Sequence, residues 1–135
     1  MAHREITSFE EFWPFYVEQH ANDTNRALHF VGTTLALGSV AAGLVTGRRA
    51  FFAAAPVLGY GFAWVGHFVF EKNRPATFTY PAWSLRGDFV MWWKTVNGTM
   101  TEEVARVMAT KSTNGVHVHA SEPANETVPS AEQPN

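Results

Sequence analysis

Ala50 to Glu71, AFFAAAPVLGYGFAWVGHFVFE, is the stretch on which the fold of this chain turns. From Ala50 to Phe70 it holds no Lys, Arg, Asp or Glu, and it then ends on Glu71 and a basic cluster, with His67 one turn before that end. At about 1.5 Å per residue a helix over this run spans roughly 30 Å, the hydrocarbon thickness of a bilayer. The expectation is a membrane helix that carries a polar site at one end.

Immediately before it, Gly47, Arg48 and Arg49 leave room only for a tight turn. Before that turn, Ala27 to Thr46, ALHFVGTTLALGSVAAGLVT, is again free of charged residues, and Gly32, Gly38 and Gly43 alternate with Ala and Ser in the pattern that lets membrane helices approach closely. Two such runs predict an antiparallel transmembrane hairpin, with helices over about 27–46 and 50–70. The turn then fixes the register. His29 lies nineteen residues before Arg48 and His67 nineteen after it, so equal rise places both at one depth. Asn25 and Glu71 match in the same way one turn further out. Asn25 with His29, and His67 with Glu71, are i, i+4 pairs that each share a helix face.

Further toward the N-terminus, His20 to Asn25 is a polar break rich in capping and turn residues. Ser8 to His20 reads as an amphipathic helix with Phe9, Phe12, Trp13, Tyr16 and Val17 on one face, opened by a Ser8–Glu11 capping box. Its aromatic stripe suits a core or interfacial face, and Trp and Tyr favour the headgroup level. In the other direction, Pro75 and Pro81 make Lys72 to Pro81 irregular. Ser84 to Val96 forms a short helix with Asp88 near its start and Trp83, Trp92 and Trp93 as interfacial anchors. Thr101 to Met108 forms one more. From Lys111 onward the Ser, Asn, Pro and Glu content reads as a disordered tail.

The chain is thus expected to be all-α: a small helical membrane protein with a two-helix transmembrane hairpin plus interfacial amphipathic helices. Residues 1–110 form a single domain and 111–135 a tail. A length of 135 residues fits one domain. A net charge of −2 without a basic run excludes a nucleic-acid binder. The absence of cysteine excludes a disulfide framework, a thiolate metal site and a thiol nucleophile. No apolar region follows the N-terminal start, so no secretory signal is read there. Arg26, Lys72, Arg74 and Arg86 near the open end of the hairpin outnumber Arg48 and Arg49 in its turn, which favours cytoplasmic termini. The protein would then lie in the inner membrane of a bacterium or in the endoplasmic reticulum of a eukaryote.

Function is sought at the open end. His20, His29 and His67 bring one imidazole from each of three segments, and Glu71 or Asp88 can add oxygen. Ionisable groups are costly at membrane depth, so their convergence points to a site. Imidazole suits zinc, copper, iron and nickel, and two or three histidines with a carboxylate and open positions suit a non-haem ferrous oxygenase. Two other classes remain open: a haem-binding electron carrier ligated by His29 and His67, and a membrane scaffold or lipid-binding protein whose histidines are structural.

The run Tyr16-Val-Glu-Gln-His20, then Asn25-Arg26 and His29-Phe-Val-Gly32, then Gly66-His67-Phe-Val-Phe-Glu71-Lys-Asn-Arg-Pro75-Ala, resembles the membrane-embedded 2-hydroxy fatty acid dioxygenase family. The similarity covers Phe12 to Gly98, and after Pro75 it follows a shorter, bacterial-type branch. The family's characterised fungal members are iron-dependent enzymes of the endoplasmic reticulum that shorten 2-hydroxy fatty acids by one carbon. The resemblance implies His20, His29 and His67 as Fe(2+) ligands, with Asn25 and Glu71 supporting or completing the site; Asp88 is a supporting candidate by its position alone. It also implies a 2-hydroxy fatty acid or related lipid and dioxygen as substrates, cleaved between carbons one and two. Lys72, Arg74 and Arg86 are candidates for the substrate carboxylate, with anchoring at headgroups as their other reading. The small-residue face of the hairpin is the candidate seat of the acyl chain.

Overall fold

The two apolar runs form the hairpin that their pattern predicts. The computed structural model describes residues 5–120, apart from the side chains of 114–120, and among them all regular structure is helical. The helices are α1 (Phe9–Glu18), α2 (Asp23–Thr46), α3 (Arg49–Val65), α4 (Pro81–Val96) and α5 (Met100–Ala120). A π-helical turn, Gly66–Glu71, continues α3, and a single 3-10 turn, Ala76–Phe78, leads into α4.

α2 starts one turn earlier than its apolar run, because Asn22 caps it by accepting from the N–H groups of Thr24 and Asn25. It ends at Gly47, whose φ of 68° is the left-handed conformation that glycine adopts without strain. Asp23–Thr46 and Arg49–Glu71 are both long and apolar enough to cross a membrane. Only 22% of each apolar window is buried, and Leu44, Val45 and Val57 are more than two-thirds exposed, so the rest of the chain leaves most of this apolar surface uncovered.

The glycines show which face of α2 meets α3. A methyl added at Gly32 would lie 2.9 Å from Phe62 Cβ and 3.0 Å from the Gly59 carbonyl, and one at Gly43 would meet the Phe52 ring at 2.9 Å. Gly38, counted with them in the sequence, has nothing within 4 Å of such a methyl and lies outside the contact. Gly32→Ala should therefore destabilise the protein by about 1–3 kcal/mol through overpacking. Gly38→Ala should be neutral or gain up to about 1 kcal/mol from helix propensity. Unfolding of the two variants in one detergent reads the difference.

The remaining helices gather at the open end of the hairpin around the aromatic face of α1. Phe9, Phe12, Trp13, Tyr16 and Val17 pack with Ala76, Met91, Met100 and Val107, so the stripe is core and does not face lipid. Burying each such ring contributes about 1.5–3 kcal/mol. α4 begins at Pro81, three residues before the expected Ser84, since proline is tolerated in a first turn. Asp88 consequently stands in mid-helix. Its neighbour Gly87 lies under Tyr16, where a methyl would come within 2.8 Å of the ring. Trp92 donates its indole N–H to Thr34 Oγ1 at 2.9 Å and so fastens α4 to α2.

α5 runs well past the expected Thr101–Met108, and through Lys111, the expected start of the tail. Met100 and Val107 dock its first turns in the core, and Lys111 extends the contact by pairing with Glu18 of α1 at 2.8 Å. The rest of that tail, 121–135, lies outside the described residues. Glu103 joins α5 to α1 and α4: it accepts from Arg106 at 2.6 Å and from the Trp13 indole at 2.6 Å, with Lys94 at 3.6 Å. The Arg106 hydrogen bond first, then Trp13 and the Lys94 charge, outweigh partial desolvation and hold its carboxyl at about 2, down from 4.5. A depressed carboxyl pKa stabilises the fold fully above the unfolded value and ceases to do so as pH falls through the folded one. Glu103→Gln should thus lower stability above about pH 4.5, with the difference vanishing near pH 2 in acid-unfolding curves.

Candidate metal centre

Three histidines from three segments meet where α1, α2 and the π turn converge. His20, just beyond α1, is 1% exposed, His29 of α2 is 4% and His67 in the π turn is 2%. Their ring centroids are 4.5, 4.6 and 5.0 Å apart, and the rings stand nearly perpendicular to one another. One ring nitrogen of each lies within 4.8 Å of one from each of the others.

Each ring is oriented from behind through Nδ1. His20 Nδ1 is 2.6 Å from the Tyr16 carbonyl, and its ring stacks on Tyr16 at 4.0 Å. Arg26 steadies this link by donating to the carbonyls of His20 and Ala21 at 2.7 and 2.6 Å. His29 Nδ1 is 3.1 Å from Asp88 Oδ1, which also accepts from the Tyr16 hydroxyl. His67 Nδ1 is 2.7 Å from Asn73 Oδ1. Asn73 donates its amide to the Gln19 carbonyl and to Gln19 Oε1, at 3.0 and 2.9 Å, which fixes its oxygen toward His67. The chain reaches Asn73 through Lys72, a non-glycine residue at φ 57° that ends the π turn. π turns of this kind recur at functional sites.

The tautomers follow from these partners. A carbonyl, a carboxylate and an amide oxygen only accept, so all three Nδ1 atoms carry the proton and all three Nε2 atoms offer a lone pair. His20 Nε2 and His29 Nε2 then face each other at 3.2 Å with no proton between them. Burial first, then the neighbouring His29 and His67, lower the pKa of His20 well below its usual value and keep it neutral. Burial first, then the charge and hydrogen bond of Asp88, raise that of Tyr16, which remains a donor. Opposed lone pairs in a buried site are repulsive unless a cation lies between them, so the donor set fits a metal ion held by three imidazoles.

The other residues singled out in the sequence are placed around this core. Glu71 accepts from Asn22 N–H at 2.9 Å and from Asn25 Nδ2 at 3.3 Å, so it ties the end of the π turn to the start of α2. Asp88 orients His29. Among the described residues the group that could hold a metal consists of the three histidines alone, with both carboxylates one layer further out. Asn25 is fully buried and packs on Gly66. Lys72, Arg74 and Arg86 are exposed, Arg74 lying over the Phe78 ring at 5.2 Å and Arg86 over Phe9 at 4.0 Å. Neither His29 nor Asp88 is closed off: both border an apolar groove of about 310 Å³ between α2, α3 and α4. The His20 ring lies 4.5 and 4.6 Å from those of His29 and His67, close enough to crowd a porphyrin placed between them, which disfavours the haem reading.

A family profile described as 2-hydroxy-palmitic acid dioxygenase Mpo1-like matches residues 6–100. The chain belongs to this Mpo1-like family. The matched segment contains the three histidines, the partners of their Nδ1 atoms and the whole hairpin. No curated protein and no solved structure matches the chain.

Tyr16, Gln19, Arg26 and Asn73 are the site residues whose roles the sequence did not disclose. All four stand inside the runs that carry the family resemblance, which was the available signal. Asn73→Ala should weaken metal binding about 10–100-fold while preserving the fold, and Asn73→Asp, which keeps an acceptor, should recover part of the loss. Chelator competition measures both.

Proposed function

We propose that this protein is an iron(II)-dependent dioxygenase that is held in a membrane by its α2–α3 hairpin and shortens 2-hydroxy fatty acids by one carbon. The observation that carries this reading is the convergence of three buried imidazoles, each held from behind through Nδ1, beside a groove of apolar character. Membership of the Mpo1-like family supports the reaction class, and the exposed apolar surface of the hairpin supports the membrane. When bound, ferrous iron supplies redox chemistry with dioxygen and a Lewis acid for the substrate's carboxylate and hydroxyl.

The chain's own residues supply the rest. Asn73, Asp88 and the Tyr16 carbonyl hold the imidazoles in one tautomer and one orientation, which spares reorganisation during reaction. Burial of all three rings keeps bulk water from the reacting end. Asp88 stands at the head of the groove, where it can accept a hydrogen bond from a 2-hydroxyl. Lys72, Arg74 and Arg86 are better suited to lipid headgroups than to the substrate, since they are exposed and two of them lie over phenylalanine rings.

The test is purification in detergent without oxygen, followed by metal analysis, a visible spectrum and incubation with 2-hydroxypalmitate and oxygen. Bound iron without a Soret band, together with formation of the acid one carbon shorter, is the expected result. An intense Soret band would replace this reading with a haem protein. Iron-loaded protein that leaves 2-hydroxypalmitate intact would remove the substrate, and protein that takes up no metal would leave a scaffold.

A further inference from the structure

The groove beside the histidines has a definite length. On α2 its wall is His29, Thr33, Ala36, Leu37 and Val40, which is one face of the helix. From His29 to Val40 that face runs roughly 16 Å at helical rise, room for an extended tail of about a dozen carbons. Its volume of about 310 Å³ is in the range of small-molecule sites.

Polarity is graded along this length. His29 and Asp88 stand at the head, Asp88 flanked on α4 by Leu85 and Phe89, and Thr33 and Tyr60 add the remaining polar groups. Toward the far end the lining is Leu37, Val40, Ala55 and Pro56. Beyond Val40 the hairpin closes, where the Phe52 ring lies against Gly43. An occupant that is polar at one end, apolar along its length and of limited reach is an acyl chain entered head-first toward the histidines.

We propose that this groove is a ruler for the acyl tail, with the head at His29 and Asp88 and the terminal methyl near Val40 and Ala55. The identity of the head group rests on the function proposed above. Gly59 and Val40 then determine the chain length accepted. A Cβ at position 59 meets only Ala36 Cβ, at 3.7 Å, an ordinary contact. The outer carbons of a larger side chain there enter the middle of the groove. Val40 is 37% exposed, so a larger residue there is accommodated by the fold and narrows only the far end.

The experiment is equilibrium binding of radiolabelled 2-hydroxypalmitate and 2-hydroxydecanoate to the full chain in nanodiscs, without oxygen, for wild type, Gly59→Leu and Val40→Phe. Gly59→Leu should lose about tenfold or more in affinity for the longer acid and stay within about threefold for the shorter, because the missing contacts are those of the distal methylenes. Val40→Phe should show a smaller loss confined to the longer acid. Equal changes for both acids, or none in either variant, overturn the ruler. If Gly59→Leu does not fold, the length dependence of Val40→Phe decides by itself. Wild type that binds by length yet forms no shortened acid in oxygen removes the reaction and keeps the ruler. Wild type that shortens 2-hydroxypalmitate, with a Gly59→Leu variant of unchanged length profile, keeps the reaction and removes the ruler.

Discussion

Alanine in place of His20 should leave the protein folded and without metal. His20 is the ligand contributed from outside the hairpin, and it carries the Nε2 atom opposed to that of His29 at 3.2 Å. Its removal takes away one of three donors, so metal affinity should fall by more than the roughly 100-fold that loss of an outer partner costs. The metal-free protein should respond differently. There the substitution removes a buried lone-pair repulsion and partly offsets the lost packing on Tyr16. A ligand present at about 100 times its Kd stabilises a fold by about 2.7 kcal/mol. The wild type should show that gain on adding ferrous iron, as a higher Tm, and His20→Ala should not. Equal iron-dependent shifts in both proteins would take His20 out of the site.

Gly66→Ala should be the most damaging single methyl in the hairpin. Its Cβ would fall 2.0 Å from Asn25 Oδ1, 3.0 Å from Asn25 Cγ and 3.3 Å from Asn25 Cα. Asn25 cannot turn away, because it is fully buried, its N–H is held by the Asn22 cap and its amide nitrogen is held by Glu71. The first turn of α2 and the π turn would have to separate where His29 and His67 meet. Overpacking of this severity costs at or above about 3 kcal/mol. Metal affinity should fall together with stability. Gly61→Ala, with nothing within 4 Å of its added methyl, is the matched control and should change neither. Thermal unfolding with and without iron measures the pair.

The hairpin and the depth of its polar residues were legible because they depend on quantities that a helix does not vary. A fixed rise on each side of Arg48 brings His29 level with His67, and Asn25 level with Glu71. Their contacts, at 5.0 Å between ring centroids and 3.3 Å between side-chain atoms, follow from that count. The orientation of the imidazoles was not legible. It depends on the π turn and on the left-handed Lys72, which bring Asn73 behind His67, and no periodicity in the sequence encodes either. The aromatic stripe of α1 was legible as a face, but whether it met lipid or protein depended on α4 and α5. The extent of α5 was missed because its later turns are polar and draw support from tertiary contacts such as Glu18 with Lys111. Glu71 and Asp88 were placed at the right level as carboxylates near the site. Their distance from the ligand group is a matter of side-chain partners, Asn22 and Asn25 for the first and Tyr16 and His29 for the second.

The central claim is that three imidazoles hold one metal ion through Nε2. X-ray absorption at the iron edge of the anaerobic ferrous protein tests it most directly, since rigid imidazole rings leave an outer-shell scattering signature whose strength scales with their number. The account predicts a signature that requires three histidines in the wild type and two or fewer in any residue that survives loading of His29→Ala or His67→Ala. A wild-type signature of one imidazole or none, with oxygen donors in its place, would contradict it.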